Sequence, residues 1–247
     1  MIVLRYLWRF WFYFLTIITI LILLPILILT ILSDKTYKLF FGIARIWAYI
    51  IFYGMGMRYT LERDYKPIKN NSYIIVANHA SMLDIMLMLI LVKDNPFVFV
   101  GKAELSKIPI FGFIYKRTCI LVDRANSKSR NDVYLSARDK INNGLSICIF
   151  PEGGVTDDPD VLLDDFKEGA FRLALEHKLP ILPLTFYGLK YYFPFINSVG
   201  KPGRVLAKIH EPIIVEKLAL NEKKTVKNQT HQLILDQLIL YKSKNPL

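Results

Sequence analysis

The sequence predicts an α/β domain, its mixed and largely parallel sheet flanked by helices, carried behind an apolar N-terminal segment. Three observations predict it. From Ser72 onward, short β-branched or aromatic runs alternate with stretches of helical periodicity, the rhythm of strands joined by crossover helices. Ahead of them, Phe10 to Ser33 carries no charged residue, a run long enough to cross a hydrocarbon core of about 30 Å at about 1.5 Å per helical residue. Polar residues also gather where the expected strands end, the place where α/β sheets bind ligands. Composition agrees, since 53% of the 247 residues are hydrophobic yet 21% are charged, which suits one part of the chain to lipid and another to a globular core.

Taken in order, the first segment is too long for the apolar region of a signal peptide and ends in a polar stop, Ser33-Asp34-Lys35. Pro25 removes a backbone hydrogen bond within it, so a kink or a reversal is expected there. Leu39 to Met57 is interrupted only by Arg45 and is rich in aromatic residues, the composition of a segment at the lipid–water boundary. Residues 1–61 are therefore expected to form a membrane anchor, with apolar stretches at about 10–33 and 39–57, and residues 62–247 a single domain. The boundary is placed at the polar stretch beginning at Glu62, which holds Pro67 and the turn-forming pair Asn70-Asn71. Arg5 and Arg9 precede the first segment and Lys35 and Lys38 follow it, which leaves a single span and a hairpin both open. The domain is expected on the cytoplasmic face. Strands are expected at 73–77, 97–100, 119–122, 146–150, 181–187 and 205–209, and helices at 83–92, 128–142, 166–177 and 223–241.

A net charge of +11 calls for a polyanionic partner, either nucleic acid or an anionic membrane surface. The apolar N-terminus decides for the membrane, and no nucleic acid is expected. Cys119 and Cys148 each sit inside an apolar run and read as core residues. The four histidines are scattered, without zinc-site spacing. Asp157-Asp158-Pro159-Asp160 and Asp164-Asp165 read as a solvated, proline-bearing turn, and no metal is expected.

Four strand endings carry polar residues: Asn78-His79, Lys102, Asp123-Arg124 and Pro151-Glu152-Gly153-Gly154. Parallel strands would bring them to one edge. A histidine held there accepts a proton from an alcohol near neutral pH, and a neighbouring carboxylate orients it. His79 and Asp84 have the spacing for that pair. Ser81 followed by Asp84 equally fits a helix capping box, and the two readings are compatible.

His79 to Asp84 as HxxxxD, then Gly101-Lys102-Ala103-Glu104-Leu105, then Val122-Asp123-Arg124, then Phe150-Pro151-Glu152-Gly153-Gly154, form an ordered set. The set resembles the glycerolipid (glycerol-phosphate) acyltransferases of the lysophosphatidic acid acyltransferase type, over residues 78–187. The resemblance implies acyl transfer from a thioester to the hydroxyl of a membrane lysophospholipid, foremost 1-acyl-glycerol-3-phosphate, giving phosphatidic acid. It implies that His79 is the general base and Asp84 its orienting partner, that Arg124 and then Lys102 meet the phosphate, and that Glu152 holds the glycerol while Gly153 and Gly154 let backbone approach the ligand. Acyl-CoA or acyl carrier protein would serve as co-substrate, with no cofactor. The family commonly continues with Thr-Arg-Ser after the PEG block, whereas Gly154, Val155 and Thr156 stand here. Either Arg124, Lys102 and Lys167 suffice for the phosphate, or the acceptor head group differs, for instance an amino-acid-linked lysolipid. A membrane-anchored thioester hydrolase and a lipid-binding protein are the other readings.

Overall fold

The computed structural model describes residues 2–123, 127–155, 158, 161–196 and 198–245, with side chains described at these positions except 34 and 127–131. The first helix, α1 (Ile2–Ile31), presents its apolar side chains outward, and only Arg9, Phe12, Thr19, Leu27 and Thr30 are buried. Among the described helices it alone is long and apolar enough to cross a membrane. It stays helical through Pro25, so the chain does not fold back there. One lost backbone bond is tolerated, and the chain reverses instead at the turn Asp34–Thr36, where the Thr36 hydroxyl donates to the Thr30 carbonyl at 2.7 Å.

The second helix, α2 (Tyr37–Gly54), packs on α1 and buries Phe41, Ile43, Ala48, Ile51 and Phe52 while Leu39, Ile46 and Ile50 stay exposed. The stretch expected at the lipid boundary thus gives one face to the protein core. Strand β1 (Arg58–Arg63) follows, so the boundary expected between residues 61 and 62 falls inside a strand of the sheet. Its Arg-Tyr-Thr-Leu-Glu-Arg sequence has only two part-buried positions, too faint an alternation to announce a strand.

From there the order is β2 (Ile74–Ala77), α3 (Leu83–Leu91), β3 (Phe97–Lys102), α4 (Phe111–Thr118), β4 (Ile120–Val122), α5 (Ser127–Asn142), β5 (Ser146–Ile149) and α6 (Gly169–His177). The chain continues with β6 (Ile181–Tyr187), the single turn α7 (Leu189–Tyr192), β7 (Arg204–Ile209) and α8 (Lys223–Lys244). All six expected strands are present within about two residues of their expected bounds. Helices α4 and α7 are additions: α7 is one turn, and α4 begins after Ile110, whose φ of 62° and preceding Pro109 disguise the start.

The seven strands stand in the order β1-β7-β6-β2-β5-β3-β4. Strands β4, β3, β5, β2 and β6 are mutually parallel, and β7 turns back antiparallel to β6. The link from β2 to β3 runs along the sheet opposite to the links β4–β5 and β5–β6, so right-handed crossovers place α3 on one face and α5 and α6 on the other. The packing agrees, with α2 against α3 and α6 against α5 and α8. Covered on both sides, β2 and β6 are buried at every residue, as parallel central strands are. Within α2, Arg45 donates through Nε to the Leu89 carbonyl in the last turn of α3 at 3.1 Å, meeting the negative end of that helix.

Candidate active site

Five parallel strands end on one edge of the sheet, and the segments after β2, β5 and β6 converge there. After β2, Asn78 is 3% exposed, and its amide pairs with the Phe186 backbone, donating to the carbonyl and accepting from the N–H at 2.8 Å each. The pair continues the β2–β6 ladder with a side chain and fixes the loop that follows.

His79 is held three ways. Its ring stacks on Phe150, with centroids 4.3 Å apart and planes inclined by 19°. Its backbone N–H donates to Glu152 Oε1 at 2.5 Å, and its Nδ1 lies 2.9 Å from Asp84 Oδ2. The Asp84 carboxylate is fully buried, and the same Oδ2 accepts the N–H groups of Ala80 at 2.6 Å and Ser81 at 2.8 Å. An oxygen receiving two N–H bonds is an acceptor toward the ring as well, so Nδ1 is the ring nitrogen that donates to it and Nε2 is the one turned away from the carboxylate. The base–orienter pair and the start of α3 are thus one arrangement. Helix α3 takes Met82 as its cap, while the Ser81 hydroxyl accepts from Leu83 N–H at 3.1 Å and donates to the Phe193 carbonyl at 2.7 Å.

Glu152 lies at the start of the turn after β5 and is 9% exposed. Its Oε1 takes the His79 N–H and its Oε2 takes the Asp164 N–H at 2.9 Å. Burial pushes its carboxyl up to about 7, against the pull of those two N–H groups and of His79. In this state Glu152 ties the His79 loop to the 164 segment, a structural duty beside the glycerol contact implied by the sequence. Gly153 has φ +83°, a left-handed conformation that glycine adopts without strain. A Cβ on Gly154 would meet nothing within 4 Å, leaving open space beside the turn.

His79, Glu152, Val155, Leu162 and Lys190 line one solvent-open cleft. Lys190, on α7, donates through Nζ to the carbonyls of Asp158 and Val161, the latter at 2.6 Å. The four strand endings singled out in the sequence do not include it. The end of β6 is a fifth on the same edge, and the same logic, extended to that strand, reaches Lys190. Lys102 ends β3 and is exposed, two strands from β2, about 10 Å at a spacing of about 4.8 Å per strand; it is not among the residues lining the cleft. Arg124 lies outside the described residues, as do Asp157, Pro159 and Asp160.

Among the described residues, neither the serine beside His79 nor either cysteine is placed as a nucleophile. Ser81 is fully buried with its hydroxyl engaged. Burial pushes the Cys119 thiol up to about 12 and raises that of Cys148, so both stay unreactive thiols; Cys148 is in the core as expected, whereas Cys119 is half-buried at its edge. The chemistry available is a base aimed into an open cleft.

A histidine at a strand end beside a buried carboxylate, in a mostly parallel α/β sheet behind an apolar helix, suits proton abstraction from a hydroxyl or from water. The sequence model of the Acyltransferase family matches residues 58–187, just over half of the chain. The chain belongs to that family. It is 29% identical over 180 residues to a chloroplastic 1-acyl-sn-glycerol-3-phosphate acyltransferase of Brassica napus, covering 72% of this chain and 51% of the relative. A chloroplastic counterpart from Arabidopsis thaliana is 30% identical over 173 residues, covering 69% and 48%. The chain therefore spans about half the length of these relatives. Its fold matches the crystal structure of the 1-acyl-sn-glycerophosphate (LPA) acyltransferase PlsC from Thermotoga maritima, with a TM-score of 0.80 over 98% of each chain at 24% identity.

Proposed function

We propose that the protein transfers a fatty acyl group from an acyl-CoA or acyl carrier protein thioester to the free hydroxyl of lysophosphatidic acid, making phosphatidic acid at a membrane. The observation that carries the reading is the His79–Asp84 pair, 2.9 Å apart beside the cleft; with Nδ1 donating to the carboxylate, the neutral ring offers Nε2 as the base. Nε2 takes the hydroxyl proton as the acceptor oxygen bonds to the thioester carbon. The resulting tetrahedral intermediate collapses with cleavage of the carbon–sulfur bond, and the departing thiolate takes the proton back from the imidazolium, which Asp84 stabilises. Both protons and charges balance without an acyl-enzyme, consistent with the engaged Ser81 and unreactive thiols. No cofactor enters the scheme.

The acceptor phosphate needs a cation. Lys190 lines the cleft with His79, and its ammonium is the compact point charge by which lysine meets phosphate oxygens. Helix α1 and the net charge of +11 favour attachment to an anionic bilayer, where the lysolipid resides. In liposomes, the purified protein given palmitoyl thioester should acylate lysophosphatidic acid far faster than monoacylglycerol, and Lys190→Gln should narrow that preference by roughly tenfold or more. Thioester loss that is independent of acceptor would favour a hydrolase instead, and acylation of an amino-acid-linked lysolipid alone would replace the acceptor.

A further inference from the structure

Arg9 stands within the apolar helix α1 and is 2% exposed. Its Nη2 donates to the carbonyls of Pro194, Ile196 and Val199, the last two at 3.2 Å each, and its guanidinium carbon sits 3.8 Å from the centre of the Phe193 ring. Trp8 and Phe12 close on the same ring, with centroids 5.3 and 4.8 Å away, and Arg5 donates to the Ser198 carbonyl at 3.2 Å. The N-terminal third of α1 therefore grips the segment after α7 by its backbone.

That segment touches the catalytic loop on its other side. The Phe193 carbonyl accepts the Ser81 hydroxyl at 2.7 Å, and Ser81 N–H is one of the donors on Asp84 Oδ2. Phe195 stands edge-on to the His79 ring, at 6.4 Å and 89°. A guanidinium in an apolar helix is costly, and here Nε and Nη1 are buried without a hydrogen-bond partner, which adds to the cost. What the guanidinium supplies in return is a donor on which carbonyls of an irregular segment converge, which no alkyl side chain can provide.

We propose that Arg9 is a positioning residue that couples the N-terminal helix to the catalytic loop. It fixes the segment bearing Phe193 and Phe195, which in turn fixes Ser81 and flanks His79, so α1 belongs to the active site as well as to the membrane contact. The inference rests on His79 being the base and goes beyond it by making the helix part of the base's support.

The test uses the full chain in liposomes, with Arg9→Met, Arg9→Lys and Ser81→Ala. Arg9→Met should lower kcat roughly ten- to a hundredfold with little change in acceptor KM and unchanged sedimentation with liposomes, and Arg9→Lys should fall between it and wild type. In the ligand-free protein, carbethoxylation of His79, read by mass spectrometry of its peptide, should run several-fold faster in Arg9→Met and in Ser81→Ala, which leaves α1 untouched. Unchanged His79 labelling in folded Arg9→Met overturns the proposal even if kcat falls, because the loss would then be merely structural. Should Arg9→Met fail to fold, unchanged labelling in Ser81→Ala overturns it instead. Labelling needs no turnover, so its outcome is separate from that of the acyl-transfer reading, which His79→Ala decides.

Discussion

At His79 the tautomer follows from what surrounds its partner. Asp84 Oδ2 collects two backbone N–H groups and the ring, while Oδ1 is buried without a hydrogen-bond partner. Asp84→Asn removes the charge that stabilises the imidazolium and sets a donor NH2 in that unpartnered position or against the N–H groups. It should lower kcat by about 10²–10⁴-fold with acceptor KM little changed, measured by steady-state kinetics. Glu152 gives a second prediction. Glu152→Gln must point its NH2 at one of two N–H donors, leaving a buried mismatch that should destabilise the fold by about 1–3 kcal/mol, read from thermal or denaturant unfolding. The His79–Asp84 pair was legible because only four residues separate its members, across one loop and the start of α3. The engagement of Glu152 was not, because its partners are backbone N–H groups of residues 79 and 164, which only the closed fold brings together.

Among the elements, parallel β2, β5 and β6 do the positioning, and their burial on both faces makes them the most readable parts of the chain. Edge strand β1 was illegible, since it alternates weakly and owes its place to pairing with β7, whose residues come about 146 positions later by the register Arg58 to Arg204. Lys102 shows the limit of reading strand ends as equal: it shares the edge but stands two strands from His79. For α1, outward apolar side chains such as Ile22, 69% exposed, need lipid around them. Ile22→Asp should weaken sedimentation with liposomes, since an acidic residue near the middle of a membrane-inserted helix costs about 2.5–3.5 kcal/mol. Undiminished sedimentation would deny α1 a lipid-embedded position.

The whole molecule is knitted by a polar cluster away from the cleft. His210 is 2% exposed, its Nε2 lies 2.8 Å from Thr185 Oγ1, and Asp64 and Lys208 face it. Burial, with Lys208 adding to it and Asp64 opposing, pushes its pKa from 6.5 down to about 4. The folded chain therefore keeps His210 neutral where the unfolded chain takes up a proton, so stability is lost as pH falls from about 6.5 toward about 4, by up to about 3 kcal/mol. His210→Gln should flatten that part of a stability–pH curve measured by thermal unfolding in detergent. The apolar helix α1 and the His79 loop meet at the segment after α7, through Arg9 on one side and Ser81 on the other. The most direct test of the central claim is phosphatidic acid formation in liposomes from lysophosphatidic acid and palmitoyl thioester, by wild type and by His79→Ala of confirmed fold. Product from wild type, with the variant lowered about 10²–10⁴-fold, is the predicted result; near-normal turnover by His79→Ala would contradict it.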